Sequence, residues 1–509
     1  MKKRLCIGIL NLSTEWSNLL DDVGVWYEQV DFKNPLVNNY SLIILNKRLA
    51  SAQVLQVEHF LENGGTVLEM KDIHPFTKKG YIESDDADTL LNRSKHPAFE
   101  HIHSVDLYAD VCLHKETKLL GGLIHFQVWK KGVVGFFGAD IIALFSRDKY
   151  HRKKFYSPGN KFPNEIVNSV SKHELKDAFT ITLRELHHRS GLPYIQKWTS
   201  PKKAPVFCFR IDTDFGDKKS IDNLYEVLNE HQIKGTWFLH VKAHEKWLDH
   251  FKTFEEQELA LHGYEHGTSN SSKKMQSNIE KGLKLLQKAG IEPIGYCAPY
   301  GIHNKALKQA LGDFDFRYTS EFTFKYDGFP TQTGLKNSPI QLPIHPICTG
   351  SLNRLNYSES DMAAYFAQVM EMKIGRHEPV IFYHHPLQPG LDVISHLMEL
   401  VNHKLLTNMT FHEFEAFWKR RALANFEAWY ENNSIQINCT DNKLHFQVFN
   451  TQNGFNRVRA GQQTDLEKTP DFEYSNSYLL SIPEVKNMKA FDIRLIKTSL
   501  LDWKNRIRL

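Results

Sequence analysis

The sequence predicts an α/β protein in three parts, with a closed or nearly closed (β/α) barrel in the middle. Three observations carry this. Residues 1–195 alternate apolar strand-like runs with helical stretches. The alternation stops at a Pro- and Lys-bearing stretch, "YIQKWTSPKKAPVF", and restarts over 200–425 with about seven βα repeats. From 426 to 509 only strand-like segments follow, the pattern of a small β domain, sandwich-like.

In the first part "RLCIGIL", "WYEQVDF" and "YSLIILN" are short apolar runs. "SAQVLQVEHFLENGG" then has helical periodicity and a glycine stop, and the strand "TVLEM" follows. "GGLIHFQVW" and "KGVVGFFG" add strands, and "ELKDAFTITLRELHHRSG" a helix. Strands that alternate with helices pack as a mostly parallel sheet covered on both faces. In the second part the strands are "VFCFRID", "GTWFLHV", "ELALHG", "IGYCAPY", "FRYTSEF", "IQLPIHP" and "PVIFYHH". "SIDNLYEVLNEHQ", "QSNIEKGLKLLQKAG" and "ESDMAAYFAQVMEMK" supply helices between them. In the third part "SIQINC" and "KLHFQVFN" precede a turn at Asn453-Gly454, and "SYLLSIP" and "KAFDIRLI" read as further strands. This β domain is expected either to bind sugar or to pack on the barrel.

A net charge of +4 over 509 residues, with no basic block, implies no nucleic-acid partner. No apolar run approaches about 18 residues, so no transmembrane segment is expected. The start, "MKKRLCIGILNLSTEW", is broken by Asn11 and Glu15 and reads as a buried strand rather than a signal peptide. The six cysteines are scattered, several within strands, which suits reduced core thiols and a cytoplasmic setting.

Chemistry-bearing residues gather at the strand ends. "ELALHGYEHG" sets His262 and His266 four apart, a spacing that lets two imidazoles on one helical turn reach one ion. With 26 histidines, about one such pair arises by chance, so the pair needs partners. A second pair, His240 and His244 in "HVKAH", reads as surface. Partners come from "VFCFRIDTDFGD", where alternation puts Arg210, Asp212 and Asp214 on one face and Phe207, Phe209 and Ile211 on the other. "YCAPYG" and "IFYHHP" end two further strands. Four polar clusters at the same end of successive strands mark the end where (β/α) barrels keep their chemistry.

This order of motifs resembles the polysaccharide deacetylase family, with its NodB-homology domain, over about residues 200–420. "FRIDTD", "HGYEH", "CAPYG" and "YHHP" match its successive motifs, and "FRYTSEF" its tyrosine-serine stretch. The resemblance implies a barrel of the polysaccharide deacetylase type that removes an N-acetyl group from an amino sugar or glycan intermediate. It implies Asp214, His262 and His266 as metal ligands, Asp212 as general base and His385 as general acid, with His384 as its rival. It implies Tyr300, whose backbone N–H helps hold the oxyanion, and Pro299 on the substrate side. His345 ends another strand and is expected either to line the pocket or to be structural. Two imidazoles and a carboxylate suit Zn²⁺, with Co²⁺, Ni²⁺ and Fe²⁺ also accepted. The family's third motif begins with Arg, whereas this chain has Cys297. Arg210 is expected to orient Asp212 in its place. The alternatives are hydrolysis of another amide, of formamide or cyclic imide type, and a catalytically silent barrel that binds carbohydrate or scaffolds partners. Residues 1–195 resemble the flavodoxin-like domains related to class I glutamine amidotransferases. The turn after "TVLEM" holds Lys71 and Asp72 and no cysteine, so the resemblance implies no nucleophile and a structural or regulatory role.

Overall fold

The computed structural model describes residues 2–157, 161–333, 338–449, 454–466 and 471–473. The strands expected at "SYLLSIP" and "KAFDIRLI", and Asn453 of the expected turn, lie outside the described residues. The chain divides into two compact units, neither continuous in sequence. One gathers the residues up to Arg147, Ser169–Pro201 and the stretch from Lys419; the other gathers Asp148–Asn168 and Lys202–Trp418.

In the first unit a six-stranded sheet runs Tyr27–Gln29, Ile7–Ile9, Leu42–Leu45, Thr66–Met70, Gly132–Phe137 and Ile124–Trp129. Only the last pairing is antiparallel, so the parallel strands follow the order 2-1-3-4-5, a doubly wound topology. The helix Lys172–Arg189 buries Leu175, Phe179, Leu183 and Leu186 in one core with Ile44, Leu68 and Phe137. The turn after Thr66–Met70 places Asp72 at φ +65°, a backbone region that few non-glycine residues adopt, with the Cys112 thiol 3.7 Å from its carboxylate. Two features that periodicity did not announce join this unit. Ile82–Leu91 and Ser104–His114 form a two-stranded ribbon. The later β strands complete two four-stranded sheets with earlier ones: Phe426–Glu431 pairs with Lys3–Arg4, and His445–Phe449 with Tyr194–Lys197. The two sheets share a core in which Phe426 and Phe446 meet at 4.8 Å.

In the second unit the strand Val206–Asp212 lies second from one end of a curled nine-stranded sheet. To one side follow Gly235–Leu239, Glu258–Leu261, Gly295–Tyr296, Tyr318–Thr319 and Ile340–Gln341, all parallel; Val380–His384 flanks the other. The curl nearly closes, because the His345 N–H donates to the Ile381 carbonyl at 2.8 Å. Strand alternation decides the layers. Phe207, Phe209 and Ile211 join Leu224 and Leu228 of the helix Lys218–Glu230 in the apolar layer. Arg210 and Asp212 take the opposite face, where they are buried. Trp237 is fully buried in the same apolar layer. The hairpin Tyr150–Lys154 with Asn164–Asn168 also belongs to this unit, although its sequence precedes the barrel by some tens of residues. All six thiols are free, and five are buried.

Candidate active site

At the carboxyl end of Val206–Asp212 the chain turns sharply. Asp214 adopts φ +42°, which swings its carboxylate back toward the strand ends. His262 and His266 follow Glu258–Leu261 on an irregular bend, not on the helical turn their spacing suggested. Gly263 between them takes φ +90°, open to glycine and strained for other residues. The bend brings the two rings within 5.2 Å. Asp214 Oδ1 lies 3.3 Å from His262 Nε2 and 2.9 Å from His266 Nε2, so three donor atoms from two loops converge. The His262 Nδ1 donates to the Cys297 carbonyl at 2.8 Å, which leaves Nε2 as the bare, ligating nitrogen. This donor set fits a divalent transition metal. Asp212, His262 and Cys297 also lie close enough to share an ion, but that grouping competes for His262, whose Nδ1 is already taken.

Among the described residues a further group, His114, Glu116 and His125, occurs in the first unit. Its imidazoles stack face to face at 3.6 Å and 6°, so no single ion lies in both ring planes. His114 Nδ1 also accepts the Glu116 N–H.

Arg210 forks onto Asp212: Nε donates to Oδ1 at 2.7 Å and an Nη to Oδ2 at 2.6 Å. Its other Nη donates to the Ser320 carbonyl and hydroxyl at 2.6 and 3.1 Å. Phe238 and Tyr383 flank the guanidinium at 5.3 and 5.7 Å. The cation that Cys297 cannot supply thus reaches Asp212 from two residues upstream on its own strand. Burial is the largest influence and would raise the Asp212 carboxyl, but the Arg210 guanidinium, His262 and His385 together hold it below the usual range. Asp214 is held lower still, burial being overcome by His385 and His266.

His385 Nε2 faces both carboxylates, 3.9 Å from Asp212 and 3.6 Å from Asp214. Burial opposes its charge, yet the Asp214 carboxylate, the Cys348 sulfur and Asp212 push it up to about 10. His384 points elsewhere: its Nδ1 meets Thr349 Oγ1 at 3.0 Å, and burial pushes it down to about 3. Pro299 is buried, and Tyr300 sits at φ +59° with its ring 4.9 Å from that of His266. The geometry therefore gathers Asp212, Asp214, His262, His266, His385, Arg210 and Tyr300. It does not gather His345, whose Nδ1 meets Asp327 at 3.2 Å and whose Nε2 meets the Tyr365 hydroxyl at 2.9 Å, a buried structural network with Lys373.

One expectation is corrected. His240 and His244 are not on the surface: they are 2% and 0% exposed. His240 Nδ1 donates to the Asp214 carbonyl at 2.7 Å and packs against His266 at 5.3 Å, so it braces the strained turn. Periodicity could not show this, because the bracing crosses between two strand-end loops. Glu321 also supports the site. Its Oε1 accepts the Ala298 N–H at 3.1 Å and so fixes the loop that carries Tyr300, and burial pushes its carboxyl up to about 7. Its place in "FRYTSEF", directly after Ser320, was the available signal.

Residues 201–319 match the family model for polysaccharide deacetylase. That match, the curled α/β sheet and the cluster at its carboxyl edge support a hydrolase of the deacetylase class. The matched stretch ends before His385. Among solved structures, the chain is similar to a protein of Mycobacterium smegmatis assigned to the polysaccharide deacetylases, at 16% identity and TM-score 0.40, over 45% of this chain and 94% of that one. It is similar to a CE4 family pseudoenzyme from Bacillus anthracis, at 16% identity and TM-score 0.32, over 42% and 69%. It is also similar to a family 4 carbohydrate esterase from Streptomyces lividans in complex with acetate, at 16% identity and TM-score 0.30, over 40% and 92%. No curated protein matches the chain. Among the described residues no helix is long and apolar enough to cross a membrane.

Proposed function

We propose that this protein is a metal-dependent hydrolase that removes an N-acetyl group from an amino sugar or glycan intermediate. The observation that carries the reading is the convergence of Asp214, His262 and His266 beside an Arg210-held Asp212 and an opposed His385. Asp214, His262 and His266 would hold the metal, Zn²⁺ by the chemistry of the donors. When bound, such an ion supplies Lewis-acid polarisation of an amide carbonyl and acidifies water. Asp212, kept ionised and aimed by Arg210, accepts the proton of the attacking water. His385, across the cluster, protonates the departing amine, which leaves poorly as an anion. The Tyr300 N–H would help hold the developing oxyanion. The 2-1-3-4-5 strand order supports reading the amino-terminal sheet as flavodoxin-like, and the Lys71 and Asp72 in place of a cysteine after Thr66–Met70 support a non-catalytic role.

Metal analysis joined to acetate release tests this. Purified chain should carry about one transition metal, and a His262→Ala, His266→Ala double variant should lose it. Asp212→Asn and His385→Ala should keep the metal and lose about 10²-fold or more in turnover. Full metal occupancy in the double variant rules the assignment out.

A further inference from the structure

Tyr300 and Gly301 are consecutive residues in the left-handed region, at φ +59° and +57°. Tyrosine enters that region at a cost, so such a turn persists only where its surroundings fix it. One stretch, Glu321–Thr323, holds it at both ends. On entry the Glu321 carboxylate accepts the Ala298 N–H at 3.1 Å. On exit the Thr323 N–H donates to the Gly301 carbonyl at 3.1 Å, and Thr323 Oγ1 accepts the His303 N–H at 2.7 Å. Between these bonds the Phe322 ring closes on Gly301, where an added Cβ would lie 2.3 Å from it. From the metal-ligand loop, the Thr268 hydroxyl donates to the Pro299 carbonyl at 3.2 Å.

Thr323 is fully buried and is held in turn from the hairpin Tyr150–Lys154 with Asn164–Asn168. Asn168, also fully buried, donates from its backbone to the Phe322 carbonyl at 3.2 Å and from Nδ2 to the Thr323 carbonyl at 2.8 Å. A continuous run of hydrogen bonds thus leads from the hairpin through Thr323 to the turn that carries Tyr300. The hairpin and Thr323 both lie outside the residues that match the family model, which end at 319. A buried N–H or carbonyl that loses its partner costs more than the bond itself, so each link in this run matters to the turn.

We propose that Thr323 and Asn168 are positioning residues for the reaction: together they hold the Tyr300–Gly301 turn so that the Tyr300 N–H meets the oxyanion as it forms. This rests on the deacetylase reading, in which that N–H acts in the transition state. Misaiming it then lowers turnover and leaves substrate affinity alone. Removal of one oxyanion donor costs about 10²–10³-fold in kcat, so a donor displaced rather than removed costs about tenfold.

Acetate release from the β-1,4-linked tetramer of N-acetylglucosamine, and amide hydrogen exchange, are measured on the full, metal-loaded chain. Thr323→Val keeps the shape of the side chain and removes the acceptor. It should lower kcat about tenfold with KM and metal content unchanged, and speed exchange at His303 about tenfold. Thr323→Ser keeps the hydroxyl and should stay within about twofold of wild type in both. Asn168→Ala should shift kcat and exchange in the same direction as Thr323→Val. Wild-type kcat in Thr323→Val, a rise in KM in place of the fall in kcat, or equal losses in Thr323→Val and Thr323→Ser overturns the proposal. So do wild-type values in Asn168→Ala. Failure of the deacetylase reading looks different: the wild-type chain releases no acetate, while exchange at His303 still separates Thr323→Val from Thr323→Ser.

Discussion

Arg210 makes four hydrogen bonds through one buried guanidinium, two to Asp212 and two to Ser320. A fork of this geometry needs a planar donor set that lysine lacks. Arg210→Met should leave Asp212 buried without its cation. The expected result is a stability loss of about 3–5 kcal/mol, the scale for breaking a buried pair, and a fall in kcat with metal content unchanged. Arg210→Lys should fall between, since it keeps charge without the fork. Wild-type kcat in Arg210→Met would remove the orienting role. This contact was legible in the sequence, because strand alternation by itself puts residues 210 and 212 on one face. The roles of His240 and Glu321 were not, because each acts across loops that are distant in sequence and meet only in the folded barrel.

At the scale of elements, the turn that carries Asp214 ends on a helix cap. Asp217 accepts the Ser220 N–H at 2.8 Å and starts Lys218–Glu230, so the same few residues aim a ligand and begin a helix. Asp217→Ala should cost about 1 kcal/mol in thermal unfolding and weaken metal retention, whereas Asp217→Asn, which can still cap, should do neither. Loss of metal retention in both variants alike would show that the cap does not support the turn. Long elements with an apolar face were readable, as in Ser272–Lys288 and Glu359–Gly375. The ribbon Ile82–Leu91 was not, because its sequence "IESDDADTLL" is acidic and mostly exposed and offers no alternation to find. Barrel strands as short as Gly295–Tyr296 showed through the motifs at their ends rather than through periodicity.

Over the whole molecule the two units exchange chain at several points. One exchange, at Pro201–Lys202, falls in the Pro- and Lys-bearing stretch; another, at Trp418–Lys419, falls inside the helix Phe411–Leu423 and leaves no mark in composition. Global stability should also carry an acid signature from Glu69. Its carboxylate is buried and accepts from the Phe76 N–H and the Thr77 hydroxyl, and burial, despite these bonds, pushes it up to about 7. The folded chain therefore keeps a proton there that the unfolded chain releases near pH 4.5. Stability contributed at that site falls as pH rises from about 4.5 to about 7, by about 3 kcal/mol at most. Glu69→Gln should flatten this slope and gain on wild type at pH 8 more than at pH 5; an unchanged slope in melting temperature against pH would refute it. The pairing of Lys3 and Arg4 with Tyr430 and Trp429 has a consequence in time. At the usual pace of about 5–20 residues per second, a ribosome needs about 20–85 seconds to reach the partner of the first strand. Through that interval the strand's backbone donors and acceptors lack their sheet partner and stand open to water or to another extended chain.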